Sequence, residues 1–308
     1  TGAVLWDRNK GGLITVSARA VILATGGSGQ LRFQGFPTSN HLGAMGDGLV
    51  LAYRQGCKLV NADSHQYHPS GTAYPESMAG QLVTESIRSA GAQVVNAKGE
   101  RFTGEMVLRD TLAAAIIREV SENRGVKTHS GRVGVWLDTP LIDLKNGNGT
   151  IRRQFPGIVH RFERYKIDLA KQPILIYPTL HYQNGGIQID EDGRTEVKGL
   201  WASGEVTGGI HGTNRLMGNS LLDITVFGQR AAQSVQNNLP SRRPVTLTRL
   251  REFREKLKGL HGRKAILSPQ LFPALTGMKI SFEKKTEPLE NNFSSTSSFS
   301  LDPPDPFS

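Results

Sequence analysis

The stretch from Gly204 to Asp223, GEVTGGIHGTNRLMGNSLLD, restricts the fold more than any other part of the chain. Gly204, Gly208, Gly209, Gly212 and Gly218 crowd one loop. A short apolar run, Gly199 to Ala202, precedes it with strand character. An apolar segment, Ile224 to Val235, follows it with helical character. Glycine lets a backbone turn through positive φ and lets a ligand approach the chain closely. Such a loop, feeding a helix N-terminus, suits an anionic or polar cofactor, because the first N–H groups of a helix point outward without intrahelical partners. The loop also carries one carboxylate, Glu205, one guanidinium, Arg215, and two amides, Asn214 and Asn219.

The rest of the chain supplies elements to surround this loop. Val4 to Asp7 and Leu13 to Val16 predict two strands, joined by the hairpin signal Asn9-Lys10-Gly11-Gly12. Ala20 to Ala24 is a continuous apolar run, the pattern of a buried parallel strand. Thr25-Gly26-Gly27-Ser28-Gly29 follows it. Gly46-Asp47-Gly48 opens a helix, Leu49 to Gln55, with Asp47 placed as its N-cap. Pro69 forces extended geometry after His65. A helix is predicted from Thr111 to Glu122, with Asp110 at its start, where a negative charge suits the dipole. Val133 to Asp138 reads as a strand, Pro156 starts a short helix to Tyr165, and Pro173 to Pro178 reads as a proline-bounded strand.

With 308 residues there is room for one large domain or two modest ones. No apolar run reaches the length of a membrane span. The start, Thr1-Gly2-Ala3-Val4, has no initiator Met and no signal-peptide pattern, and reads as a chain that begins in mid-domain. A single cysteine, Cys57, excludes an internal disulfide and a cysteine metal cluster, and no metal site is expected. Lys and Arg number 37 against 27 for Asp and Glu, an excess of +10 that would suit nucleic acid, anionic lipid or acidic substrates. No zinc finger or RNP-like aromatic motif accompanies it, so nucleic acid is not an expected partner. Leu247, Leu250, Phe253, Leu257 and Leu260 recur at helical spacing among Arg and Lys, which predicts a basic amphipathic segment over 240–283. From Lys284 the chain is Ser-, Pro- and Asn-rich, and 284–308 is expected to be disordered.

In the order of its polar residues, Gly204–Asp223 resembles the "GE…GGxHGxNRLxGNSLLD" segment of the flavoprotein subunits of succinate dehydrogenase and fumarate reductase, which lies close to the isoalloxazine. Ala24-Thr25-Gly26-Gly27 resembles the "ATGG" flavin segment, and Gln66-Tyr67-His68-Pro69-Ser70-Gly71 resembles "QFHPTG". Gly99-Glu100-Arg101-Phe102 matches "GERF", and His181-Tyr182-Gln183-Asn184-Gly185-Gly186-Ile187 resembles "HYxxGGI". Of "TEGxRGEGG" the chain keeps Thr84, Glu85 and Arg88, but only Gly91 among the glycines. The pyrophosphate loop GxGxxG that opens a dinucleotide-binding βαβ unit is absent. The resemblance covers roughly residues 1 to 235. It implies an α/β fold: a partial, Rossmann-like FAD-binding domain, discontinuous over 1–63 and 179–239, with an inserted α+β capping domain over 64–178. It implies FAD held by Thr25, Gly26, Gly27, Asp47, Glu205, Asn214, Ser220 and Leu221.

The reaction so implied is the interconversion of succinate and fumarate. A dicarboxylate site must neutralise two carboxylates, and a bidentate guanidinium is the natural clamp. By resemblance, Arg215 and His181 hold one carboxylate, and His68 and Thr84 the other. Arg109 takes the proton-transfer role opposite the flavin, with Glu85 and Arg88 as its relay. Guanidinium is a poor acid in water, its pKa exceeding about 12, so the role requires a dry site that stabilises a carbanion-like transition state. The same clamp also resembles L-aspartate oxidase, and a chain without the pyrophosphate loop also reads as a non-catalytic fragment or one piece of a split flavoprotein subunit. The resemblance further implies an iron–sulfur partner subunit, since no CxxC here can hold such clusters. Through that partner it implies membrane-anchor subunits, and a cytoplasmic location at the membrane face.

Overall fold

A computed structural model describes residues 2–7, 9, 12–241, 248, 251–252, 255 and 300–301. In chain order its elements are β1 (Gly2–Asp7), β2 (Gly12–Ser17), β3 (Val21–Leu23), α1 (Asp47–Arg54), β4 (Leu59–Val60), β5 (His65–Thr72), α2 (Ser86–Ser89), β6 (Gln93–Val95), α3 (Arg109–Ser121), β7 (Val126–Lys127) and β8 (Val133–Asp138). There follow α4 (Pro140–Asn146), α5 (Thr150–Gln154), α6 (Pro156–Glu163), β9 (Ile174–Gln183), β10 (Gly186–Gln188), β11 (Leu200–Ala202), β12 (Thr207–Gly208), α7 (Asn219–Asn237) and β13 (Ser300–Leu301). The fold is mixed α/β. Of the basic segment 240–283, only Pro240, Ser241 and the helical Thr248, Arg251, Glu252 and Glu255 are described. The segment 284–308 lies outside the described residues except for β13, which pairs antiparallel with β4.

The chain divides into two compact units. The first comprises Thr1–Gly27, Gly46–Ser64 and Asn184–Ser308; the second comprises Ser28–Met45 and His65–Gln183.

In the first unit, β1 and β2 form the expected antiparallel hairpin, with Gly2 opposite Ser17 and Asp7 opposite Gly12. β3 runs parallel to β11, with Val21 beside Leu200 and Leu23 beside Ala202. The run around β3 predicts a buried strand, yet Ile22 stays 42% exposed. Among the described residues β3 has one strand neighbour, β11. β12, β10 and β4 make a second sheet. The core of this unit joins Leu49, Ala52 and Tyr53 of α1 to Leu59, Ile187, Ala202 and Val206. Asp47 is not the N-cap of α1. Gly46 takes that place at φ 76°, a left-handed conformation that favours glycine, and Asp47 becomes the first helical residue. Its charge still falls in the first turn, where the helix dipole favours an acid.

Gly208 and Gly186 allow β12 and β10 to approach closely. A Cβ on Gly208 would sit 2.7 Å from Val60 O and 2.9 Å from Gly186 O, backbone atoms that cannot swing aside. Gly208→Ala is expected to cost about 2–3 kcal/mol of stability by overpacking. The measurement is a lowered urea midpoint at unchanged m-value.

The second unit is built on the antiparallel sheet β5-β9-β8-β6, with β7 beside β8. Its core gathers Ile87, Leu112, Ile116, Leu137, Phe162 and Ile176. β9 does not stop at Pro178, as its bounding proline predicts, but continues to Gln183. The register jumps from Gly71 opposite Tyr177 to His68 opposite Thr179, a bulge that leaves Pro178 without a ladder partner and makes its missing N–H harmless. α3 starts at Arg109, two residues before the predicted Thr111. Ser28–Met45 belongs to this unit because Pro37–Asn40 bonds to β9. Leu180 N–H donates to Pro37 O at 2.8 Å, and Ser39 N–H donates to Leu180 O at 3.0 Å.

Candidate active site

In the second unit, β5 places Gln66 and His68 in the interior, 3% and 0% exposed. α3 packs on this strand and presents Arg109 from its first turn. Arg109 Nε donates to Glu85 Oε2 at 3.0 Å, and its Nη1 donates to Gln66 Oε1 at 3.0 Å. The same Glu85 oxygen lies 3.4 Å from Arg88 Nη2. One carboxylate oxygen thus bridges two guanidinium groups. α2 is short but helical, so Glu85 and Arg88 share a face, as a three-residue spacing requires. The Arg88 side chain is buried, and Nη1 donates to the Glu105 carbonyl. Burial pushes the Arg88 guanidinium below its ordinary range. The Glu85 charge opposes that shift, and the Arg109 charge adds to it. Arg101 holds Glu105 in turn through two hydrogen bonds of 2.9 and 2.7 Å.

His68 and His181 are also brought together, with ring centroids 5.4 Å apart at 69°. Ser70 N–H donates to His68 Nδ1 at 3.2 Å. Thr84 is half-buried just before α2, and its hydroxyl makes only long contacts of 3.4 Å to Ser86. Gln66 lies in the run resembling QFHPTG but has no expected role of its own, and Glu105 lies in no motif. For Glu105 the sequence signal is its i,i+4 spacing from Arg101.

The first unit holds the remaining candidate residues. Because β3 and β11 are parallel and in register, Thr25-Gly26-Gly27 and Gly204-Glu205 leave the carboxyl ends of adjacent strands on one edge. Ligands of open α/β sheets bind outside such an edge. Glu205 packs against Gly27, where a Cβ would collide with its carboxylate. Gly46 N–H donates to Gly27 O at 3.1 Å, which sets the start of α1 and Asp47 beside this turn. Gly26 has φ 73° and open space where a side chain would stand. α7 begins at Asn219, earlier than the predicted Ile224, so Ser220 and Leu221 lie in its first turn. Its N-cap, Gly218, is left-handed and offers no side-chain cap.

The loop between is strapped at several points. His211 Nε2 lies 3.3 Å from Asp223 Oδ2 on α7. Asn184 Nδ2 and Ser64 Oγ both donate to Thr213 O at 2.8 Å. Arg215 N–H donates to Asn184 Oδ1 at 3.2 Å, and Arg215 Nη1 donates to Leu216 O at 3.0 Å. Arg215 is buried, Asn214 is half-buried, and Leu221 is 71% exposed.

The sequence profile described as FAD binding domain matches residues 1–221. The chain belongs to that family of FAD-dependent flavoproteins. It is 38% identical over 255 residues to a fumarate reductase (CoM/CoB) subunit of Methanothermobacter marburgensis, covering 80% of this chain and 44% of that one. It is 35% identical over 248 residues to L-aspartate oxidase of Yersinia pestis, with 78% and 44% covered. Among solved structures it is similar to Mycobacterium smegmatis Sdh1 in complex with UQ1, at 37% identity and a TM-score of 0.68, covering 83% of this chain and 43% of that one. A quinol–fumarate reductase with menaquinol molecules gives 29% identity and a TM-score of 0.74, with 84% and 47% covered. The flavoprotein chain spans less than half the length of these relatives.

The residues present fit the isoalloxazine half of FAD. Gly26 leaves room against the backbone at the end of β3. The N-terminus of α7, without a side-chain cap, offers N–H donors for the carbonyl edge of a planar heterocycle. Among the described residues no group of three or more His, Cys, Asp and Glu side chains is placed to hold a metal ion. No helix among them is long and apolar enough to cross a membrane.

Proposed function

We propose that this flavoprotein chain interconverts succinate and fumarate, with Arg109 as the group that moves the proton. The Arg109–Glu85–Arg88 chain carries this reading: one carboxylate oxygen of half-buried Glu85 links the half-buried Arg109 to the buried Arg88 in the second unit. Such a line can return a proton to Arg109 after each turnover. His68 and Thr84 bind one substrate carboxylate, and His181 and Arg215 the other. Thr25, Gly26, Gly27, Asp47, Glu205, Asn214, Ser220 and Leu221 hold the flavin end of FAD, which when bound supplies hydride transfer. The Arg109 side chain is only 11% exposed, and a site with little water lowers the cost of using a guanidinium as an acid. The proposed assembly is completed by an iron–sulfur partner and, through it, by membrane-anchor subunits on the cytoplasmic face.

A second reading, oxidation of L-aspartate, is favoured by the L-aspartate oxidase relatives. The full chain is to be purified alone and after co-expression with a polypeptide carrying GxGxxG. Flavin absorbance, fumarate reduction by reduced viologen, and oxidation of succinate and of aspartate are then measured. Flavin absorbance with fumarate and succinate turnover is the expected result. Turnover of aspartate alone selects the second reading. Preparations that stay colourless in both forms point to a non-catalytic piece and remove the enzyme reading.

A further inference from the structure

The Nδ1 atoms of the two histidines at 5.4 Å meet different groups. On β5 the backbone N–H of Ser70 occupies His68 Nδ1. That nitrogen is therefore an acceptor, and the ring proton sits on Nε2. On β9 the corresponding position is met by a side chain: Ser39 Oγ lies 2.9 Å from His181 Nδ1. The same hydroxyl also meets Leu180 O at 3.5 Å, a longer and weaker contact than the one to the ring.

Ser39 is held firmly in this position. Its N–H donates to Leu180 O at 3.0 Å, and Leu180 N–H donates to Pro37 O at 2.8 Å. Thr38 Oγ1 donates to the same Leu180 O at 3.0 Å. Asn40 Nδ2 spans Leu180 O and His181 O, each at 3.2 Å. The segment on both sides of Ser39 is thus pinned to the main chain that carries His181.

We propose that Ser39 is a positioning residue: its hydroxyl donates to His181 Nδ1 and holds the imidazole as the neutral Nε2–H tautomer. The inference rests on the reading of His181 as a dicarboxylate ligand. In that tautomer the ring offers a carboxylate an N–H donor, whereas the other tautomer offers a lone pair that repels it. His68 reaches the same state through a backbone donor that no substitution at Ser70 except proline removes. Ser39 does for His181, with a side chain, what the main chain does for His68.

The test uses the full chain with 15N-labelled histidine. Long-range 1H–15N correlations report which ring nitrogen of His181 is protonated, the resonance being assigned by its loss in His181→Asn. The expected spectrum shows His181 with unprotonated Nδ1 in the wild type and in Ser39→Thr, and mixed tautomers in Ser39→Ala. Ser39→Cys, a weak donor of similar size, gives the same mixing if the alanine variant folds poorly. A protonated Nδ1 in the wild type, or identical spectra for wild type and Ser39→Ala, overturns the proposal. The kinetic arm expects the KM for fumarate to rise roughly tenfold in Ser39→Ala, with kcat changed less than about twofold and recovery in Ser39→Thr. An unchanged KM also overturns it. A wild-type chain inert to both dicarboxylates ends the dicarboxylate reading, and the tautomer spectrum then judges the Ser39 contact independently.

Discussion

Arg109→Gln is expected to lower fumarate reduction about 10³-fold while leaving the flavin content of the protein unchanged. Two contacts hold this side chain. Nε is engaged by Glu85 and Nη1 by Gln66, each at 3.0 Å, while Nη2 makes no hydrogen bond among the described residues. Two of its nitrogens orient the guanidinium and one is left for substrate. Glutamine keeps a polar amide of intermediate length, so the interior near Glu85 stays hydrogen-bonded and the fold survives. It carries no proton that Glu85 could replace, so the acid function is lost. The proposed cofactor residues belong to the first unit and Arg109 to the second, so flavin absorbance serves as an internal control. A variant that reduces fumarate at the wild-type rate would take Arg109 out of the mechanism.

Local structure was largely legible in the sequence where it depends on backbone chemistry. The pairing of β1 with β2, the strand Val133–Asp138 and the helix opened by Pro156 all follow from residues within a few positions. The exceptions have local causes too. Glycine at position 46 outcompetes Asp47 for a left-handed cap, and a bulge opposite Pro178 lets β9 run on. Long-range placement was not legible. Gln66 reaches Arg109, Asn184 fixes the Arg215 backbone, and Ser39 meets His181 only because strand pairing and a docked loop bring distant segments together. No spacing rule encodes those contacts. The site residues that could be read, such as Glu85 with Arg88, lie close enough in sequence for helical geometry to pair them.

Arg215→Ala is expected to raise the KM for fumarate roughly hundredfold and to lower kcat as well, again with flavin retained. The loop carrying Arg215 is fixed by other groups: His211 meets Asp223 at 3.3 Å, and Thr213 O accepts from Asn184 and Ser64 at 2.8 Å. The backbone N–H that Arg215 gives to Asn184 is kept by alanine. Truncation therefore keeps these straps and removes the buried guanidinium together with its own bond to Leu216 O. A charge-assisted hydrogen bond contributes about 1.5–3 kcal/mol, and a bidentate pair to a carboxylate lies at the upper end. About 2.7 kcal/mol corresponds to a hundredfold change in binding. Arg215→Lys keeps the charge but loses the planar fork, so its KM should fall between the two. Steady-state kinetics on the three proteins decides the matter. A lysine variant equal to wild type would show that charge alone suffices, and an unchanged KM in the alanine variant would exclude Arg215 from the carboxylate clamp.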